Sequence, residues 1–279
     1  MSEDSSIEQE GKNRSAPIIT LITDFGTRDP YLGSMKGVIL SICVKARIVD
    51  ITREIDKFSV SHGAYVLASI VPYFPVATVH LCVVDPGVGT TRKALIVKTR
   101  RSYLIGPDNG VLILAADREG IEKVIEITNS KYMLDNVSST FHGRDIFGPV
   151  AAHLANGIPI TKFGEATDSF VRASFPKSRM SSGKLSGEVI HVDDFGNLIT
   201  NISLPDTREL GITTGIMVRI NVGRASRKMS FCRTYGEVGK GQPVALVGSA
   251  GLLEISVNTG NASSKFKARK GSQVTLSLS

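Results

Sequence analysis

Apolar β-forming runs alternate with amphipathic segments through the first half of the chain. Residues 18–23 (IITLIT) and 78–84 (TVHLCVV) are almost wholly apolar, the pattern of strands covered on both faces. Between them, Leu32, Met35, Ile39 and Ile42 recur at helical spacing and predict a helix over 29–46. A strand follows at 47–52, then a helix over 59–74 that Pro72 and Pro75 bring to an end. Further strands are expected at 94–98 and 102–105, and a helix over 145–156 closed by Gly157. Strand–helix–strand–helix–strand order predicts an α/β domain with a mainly parallel sheet.

The pattern changes near residue 158. Residues 158–183 are rich in Pro, Ser, Gly and charge and show little periodicity. From 185 onward short apolar runs separated by Gly, Asn and Asp turns predict strands at 187–192, 216–222, 228–235, 244–247, 251–257 and 273–278. These describe a small all-β, barrel-like domain. The expected organisation is a disordered tail over 1–16, an α/β domain over 17–170, a linker over 171–184 and a β-barrel domain over 185–279.

Composition narrows the class. The 279 residues are 42% hydrophobic and 21% charged, the balance of a globular protein with a large core. No apolar run is long enough to span a bilayer, and the polar, acidic start does not read as a signal peptide, so no membrane partner is expected. Cys43, Cys82 and Cys232 stand far apart and read as free thiols in a reducing cytoplasm. The net charge of +7 is scattered except at Lys265, Lys267, Arg269 and Lys270. The second domain also lacks aromatics clustered among its basic residues, so no nucleic-acid partner is expected.

Four polar clusters carry the candidate chemistry. The first is Asp24 at the tip of the opening strand, followed by Asp29 and Tyr31 at a helix start; a carboxylate there suits a ribose diol, although a turn aspartate fits the same pattern. The second is VVDPGVGTTR, where Arg92 follows Asp85 by seven residues across a Pro-Gly turn and can fold back onto it as a fork or a plain ion pair. Asp50, in RIVDIT, adds a third acid-bearing strand. The third cluster is STFHGRDIFGP, with His142 at a helix start. The fourth is HVDDFGNLITNI, which offers Asp193, Asp194, Asn197, Thr200 and Asn201 around a glycine turn. GxGxxG, GxxxxGK[ST], HExxH, GxSxG and Cys/His ligand spacings are all absent, so no dinucleotide, P-loop or metal chemistry is expected.

Taken in order, TDFGTRDPYLGSMKG, VVDPGVGTTR, FHGRD, DDFGNLITNI and GSAGLLEISVNTGNA resemble the S-adenosylmethionine hydroxide adenosyltransferases, relatives of the fluorinating and chlorinating S-adenosylmethionine enzymes. The resemblance covers residues 17–278. It implies cleavage of S-adenosylmethionine by water to adenosine and methionine, without a cofactor. It also implies a homotrimer whose site lies between the first domain of one subunit and the second domain of its neighbour.

Residue by residue, the resemblance makes Asp85, Arg92 and His142 the set that organises the water. Asp24 would hold the ribose diol, and Phe58 an aromatic slot. Asp193 and Asn197 would receive the methionine amino and nearby groups, Ser249 its carboxylate, and the backbone at Asn261 and Ala262 the adenine edge. Which of Asp85 and His142 takes the proton stays open. The halogenating relatives carry Tyr in place of Asp85, lack His142, and bear Trp at the position of Ile199; the fluorinating ones bear Ser in place of Gly143. The alternatives are a halogenase or a non-catalytic S-adenosylmethionine or nucleoside sensor.

Overall fold

The computed structural model describes residues 16–173 and 175–279. The tail expected over 1–16 lies outside the described residues apart from Ala16. Two compact units divide after Ala173.

The first unit comprises β1 (Ile18–Thr23), α1 (Tyr31–Ile42), β2 (Arg47–Thr52), α2 (Val60–Ile70), β3 (Val79–Val83), β4 (Ala94–Thr99), β5 (Tyr103–Pro107), α3 (Ile113–Glu119), β6 (Ile121–Ile127), a π-helix (Gly143–Phe147), α4 (Gly148–Ala155) and β7 (Gly164–Ala166). Its sheet has the order β2-β1-β3-β5-β4-β6-β7. β2, β1, β3 and β5 pair in parallel, and β4 enters antiparallel to both β5 and β6, so five of the seven strands run one way.

Alternation along each strand builds a core on either face. Ile19, Leu21 and Leu81 pack with Met35 and Ile39 of α1 and Val150 of α4. Ile22, Cys82 and Leu104 pack with Leu67 of α2 and Ala115 of α3. The expected α/β architecture is therefore a three-layer sandwich. It includes α3 and β6, which have no counterpart among the predicted elements.

Register then sets the chemistry. Thr23 of β1 is directly opposite Val83 of β3, so Asp24 and Asp85 leave the carboxyl ends of neighbouring parallel strands, where ligands collect in such sheets. Asp50 does not join them. It pairs in register with Leu21, short of the strand end, and its carboxylate accepts from Lys36 Nζ at 2.6 Å.

The second unit contains β8 (Arg179–Ser181), β9 (Lys184–Val192), β10 (Leu198–Ser203), α5 (Leu204–Glu209), β11 (Met217–Val222), β12 (Ala225–Phe231), β13 (Pro243–Val247), β14 (Leu252–Val257), α6 (Ala262–Phe266) and β15 (Gln273–Leu278). The order β10-β14-β13-β12-β11-β15-β9 closes on itself through β9–β10, giving a seven-stranded barrel with β8 added outside on β9. The stretch expected as a linker thus contributes β8, which pairs with β9 from Arg179 to Ser181. Leu185, Val189, Ile220, Phe231, Leu253 and Leu276 fill the interior. No helix among the described residues is long and apolar enough to cross a membrane.

Candidate active site

In the first unit, Asp24, Asp29, Tyr31, Phe58, Asp85 and His142 line one cavity of about 260 Å³. Loop 53–58 is clamped onto the strand tip that carries Asp24. Gly26 N–H donates to the Arg53 carbonyl at 2.7 Å, Phe58 N–H donates to Asp24 Oδ2 at 2.9 Å, and Lys57 Nζ donates to the Asp24 carbonyl. Asp24 is buried, and Oδ1 makes no hydrogen bond among the described residues, so this oxygen is open to a ligand hydroxyl. Phe58 sits at φ 64°, a left-handed conformation that costs a bulky residue about 1–2 kcal/mol, and its ring is 72% exposed. An aromatic ring held at that expense and left in solvent is placed to meet a flat ligand.

The DPGVGTTR segment folds back on itself. Val88 N–H donates to the Asp85 carbonyl, and Gly89 at φ +76° turns the chain so that Arg92 faces Asp85. Arg92 Nε donates to Asp85 Oδ1 at 3.0 Å and Nη2 donates to Oδ2 at 2.6 Å, the fork expected of a bidentate pair. Both side chains are at most 10% exposed. Arg92 Nη2 also lies 2.6 Å from His142 Nδ1, so guanidinium, carboxylate and imidazole form one continuous chain.

His142 precedes a π-helical turn, Gly143–Phe147, in place of the plain α-helical start expected at Asp145. Such turns recur at functional sites. Fully buried Asp145 accepts from the Ser138 N–H at 2.8 Å and from Arg144, which anchors the loop leading into His142. Burial pulls the His142 pKa below its ordinary value. The Arg92 charge pulls the same way, and Asp85 and Asp145 oppose it in part. Phe25, Tyr31 and Phe141 meet edge to face with centroids 5.3–6.0 Å apart and form an aromatic wall. Phe25, Lys57 and Phe141 were not among the residues singled out in the sequence.

In the second unit, Asp193 and Asn197 line a cavity of about 620 Å³ together with Phe195, Tyr235 and residues 257–260. Asp193 Oδ1 accepts from the Asn197 N–H at 2.8 Å and Oδ2 accepts from Asn197 Nδ2 at 2.9 Å. Phe195 is 80% exposed, and the Tyr235 hydroxyl donates to buried Glu254 at 2.6 Å. Two open aromatic faces beside carboxamides suit a purine base. Ser249 lies in the exposed turn between β13 and β14 and does not line this cavity. Asn261 caps α6 by accepting from Ser264 N–H at 2.7 Å, and Ala262 is fully buried. The four residues just before them line the cavity. Thr200 and Asn201 are structural: Thr200 donates to the Leu253 carbonyl at 2.9 Å, and Asn201 accepts from Glu188 N–H and donates to the Pro176 carbonyl.

Comparison with known proteins gives this geometry a context. Residues 19–164 match the model of the SAM hydroxide adenosyltransferase N-terminal domain, and 187–275 that of the C-terminal domain. An (R)-S-adenosyl-L-methionine hydrolase from Methanocaldococcus jannaschii is 41% identical over 88% of this chain and 90% of its own length. A fluorinase from an Actinoplanes strain is 29% identical over 93% of this chain and 97% of its own. The crystal structure of an uncharacterized conserved protein from Thermotoga maritima superposes with a TM-score of 0.90 at 40% identity, covering 93% of this chain and 99% of that one.

Proposed function

The chain belongs to the SAM hydroxide adenosyltransferase family, and on that premise we propose that it hydrolyses S-adenosylmethionine to adenosine and methionine. The observation that carries the reading is the Asp85–Arg92–His142 chain along the first-unit cavity. A sulfonium is already an activated leaving group, so methionine departs without an acid. The enzyme needs only a water held in line with the C5′–S bond and shielded from bulk solvent. Asp24 takes the ribose diol, Phe58 and Tyr31 flank the nucleoside, and the Asp193–Asn197 turn receives polar groups of the substrate. The exposed rings of Phe195 and Tyr235 favour the adenine beside residues 257–260. No cofactor enters the reaction.

The cavity lining carries three carboxylates, Asp24, Asp29 and Asp85, against Lys57 and the Arg92 paired with Asp85, an excess of negative charge that favours a cationic sulfonium. A carboxylate at the nucleophile also disfavours a halide, and the fluorinase is the more distant relative. We assign a cytoplasmic homotrimer, in which the first-unit cavity of one subunit meets the second-unit cavity of a neighbour. Mixing D85A with a variant crippled at Asn197 then restores activity in mixed trimers, and no restoration refutes the shared site.

The primary test incubates the protein with S-adenosylmethionine in ¹⁸O-labelled water, with and without chloride. Adenosine carrying one labelled oxygen and no chloride dependence supports the hydrolase. A 5′-halogenated adenosine, or tight binding with no product, refutes it.

A further inference from the structure

The hydrogen-bond inventory of Arg92 fixes the proton on His142. A guanidinium donates and never accepts. One Nη2 hydrogen is directed at Asp85 Oδ2 and the other at His142 Nδ1, both at 2.6 Å. Nδ1 must therefore present a lone pair, and the neutral ring carries its proton on Nε2. Nε2 has no hydrogen-bond partner among the described residues, and the ring lines the cavity. Its N–H is thus free to donate to a ligand there but has no lone pair with which to accept.

The charged groups around the ring agree with this tautomer. Arg92 faces it from the turn after β3, together with Asp85, and Asp145 lies on the π-helix behind it. Asp24, Asp29 and Lys57 line the same cavity. A second proton would put an N–H against the guanidinium, and burial and Arg92 together hold the ring below its ordinary pKa of 6.5.

Asp85 has the complementary inventory. Oδ2 accepts from Nη2 at 2.6 Å and from Nε at 3.2 Å, whereas among the described residues Oδ1 accepts only from Nε at 3.0 Å. A carboxylate oxygen has two lone-pair sites, so Oδ1 keeps one open.

We propose that His142 is a hydrogen-bond donor to the attacking water, and that Asp85 Oδ1 alone accepts the water's proton. The inference rests on the hydrolase reading and deepens it. In the step, the water oxygen bonds to C5′ as the C5′–S bond breaks. The bonding pair passes to sulfur, and methionine leaves as a neutral thioether. One water proton passes to Asp85 Oδ1 and later to solvent, and the other stays on the 5′-hydroxyl of adenosine. Arg92 transfers nothing; it holds acceptor and donor on one rigid fork.

The test compares H142Q with H142A. A glutamine amide offers an N–H donor near the place of Nε2 but no basic lone pair. H142Q should retain turnover within about tenfold of wild type, whereas H142A should lose about a hundredfold or more. An H142Q enzyme as inactive as H142A while binding S-adenosylmethionine normally overturns the proposal. A second measurement needs no variant: histidine ¹⁵N shifts of the wild-type protein at neutral pH should show pyridine-like Nδ1 and pyrrole-like Nε2 for His142. A proton found on Nδ1 also overturns it. Wild-type protein that forms no adenosine from S-adenosylmethionine refutes the hydrolase reading instead, and the ¹⁵N spectrum still decides the tautomer.

Discussion

Gly89 couples the two halves of the Asp85–Arg92–His142 chain, and replacing it with alanine separates a catalytic effect from a stability effect. At Gly89, φ is +76°, and an added Cβ would lie 2.1 Å from the Ser139 carbonyl oxygen. Left-handed backbone costs an alanine about 1–2 kcal/mol. The collision adds to this, because relieving it moves the turn that carries Arg92, or the loop that carries His142, by about 1 Å, a misplacement that can lower a rate about a hundredfold. Gly211 provides the control: its φ is +78° and nothing lies within 4 Å of its added Cβ. Both G89A and G211A should lose a few degrees of Tm, but only G89A should lose kcat, by about tenfold to a hundredfold. The assay is adenosine release at saturating S-adenosylmethionine beside thermal unfolding. If G89A turns over like wild type while its Tm falls as in G211A, the turn does not position the chain and the reasoning is refuted.

R92K keeps the charge but loses the fork, so kcat should fall about a hundredfold with a smaller change in KM; wild-type turnover by R92K would show that charge alone suffices. F58G relieves a left-handed phenylalanine and should raise stability by about 1 kcal/mol in urea unfolding, while KM for S-adenosylmethionine rises about tenfold; a stability loss would contradict the strain at φ 64°. His80, whose Nδ1 meets Thr20 Oγ1 at 2.8 Å, is held near pKa 4 by burial. The unfolded chain takes up a proton below about 6.5 that the folded one refuses. His80 therefore removes up to about 3 kcal/mol as pH falls from 6.5 to 4, and H80Q should flatten this slope. Identical pH dependence of the urea midpoint in both proteins would rule His80 out.

What could be read in the sequence follows from what local pattern encodes. β1 and β3 were legible because a strand covered on both faces needs a continuous apolar run, and their terminal acids stand out against it. Asp85 and Arg92 were legible as a pair because a Pro-Gly turn brings residues seven apart together. Asp50 misled, because an acid inside a predicted strand resembles one at its tip, while its ion pair with Lys36 of α1 depends on tertiary packing that no local pattern records. The apolar run into α3 and the charge-interrupted β6 have no distinct period, so they escaped. The π-helix escaped too, since one i→i+5 turn leaves the apolar spacing of α4 almost unchanged. In the barrel unit, Phe195 and Tyr235 are ordinary aromatics in the sequence. Their exposure at one cavity depends on barrel closure. The part played by residues 257–260 in the cavity wall was hidden for a similar reason, since it depends on how the turn after β14 closes.

The same geometry bears on why water, and not an abundant halide, is the nucleophile. At about 4 Å, with an effective dielectric near 20, an unpaired carboxylate repels a halide by about 4 kcal/mol, which sets the upper bound of the exclusion. Arg92, paired with Asp85 through Nε and Nη2, offsets part of this repulsion, so the exclusion in the wild type is smaller than that of a bare carboxylate. D85A reverses both conditions at once. It removes the repelling charge and leaves a guanidinium, itself only 10% exposed, without its carboxylate. A buried unpaired cation recruits an anion. Hydrolysis by D85A should fall about a hundredfold or more, for want of the proton acceptor. Chloride should then either compete with S-adenosylmethionine or appear in a 5′-chlorinated adenosine, measured against gluconate at matched ionic strength. Wild type should show neither effect. A D85A enzyme as indifferent to chloride as the wild type would mean that Asp85 does not set the electrostatics of the nucleophile position, and the exclusion would have to come from cavity shape alone.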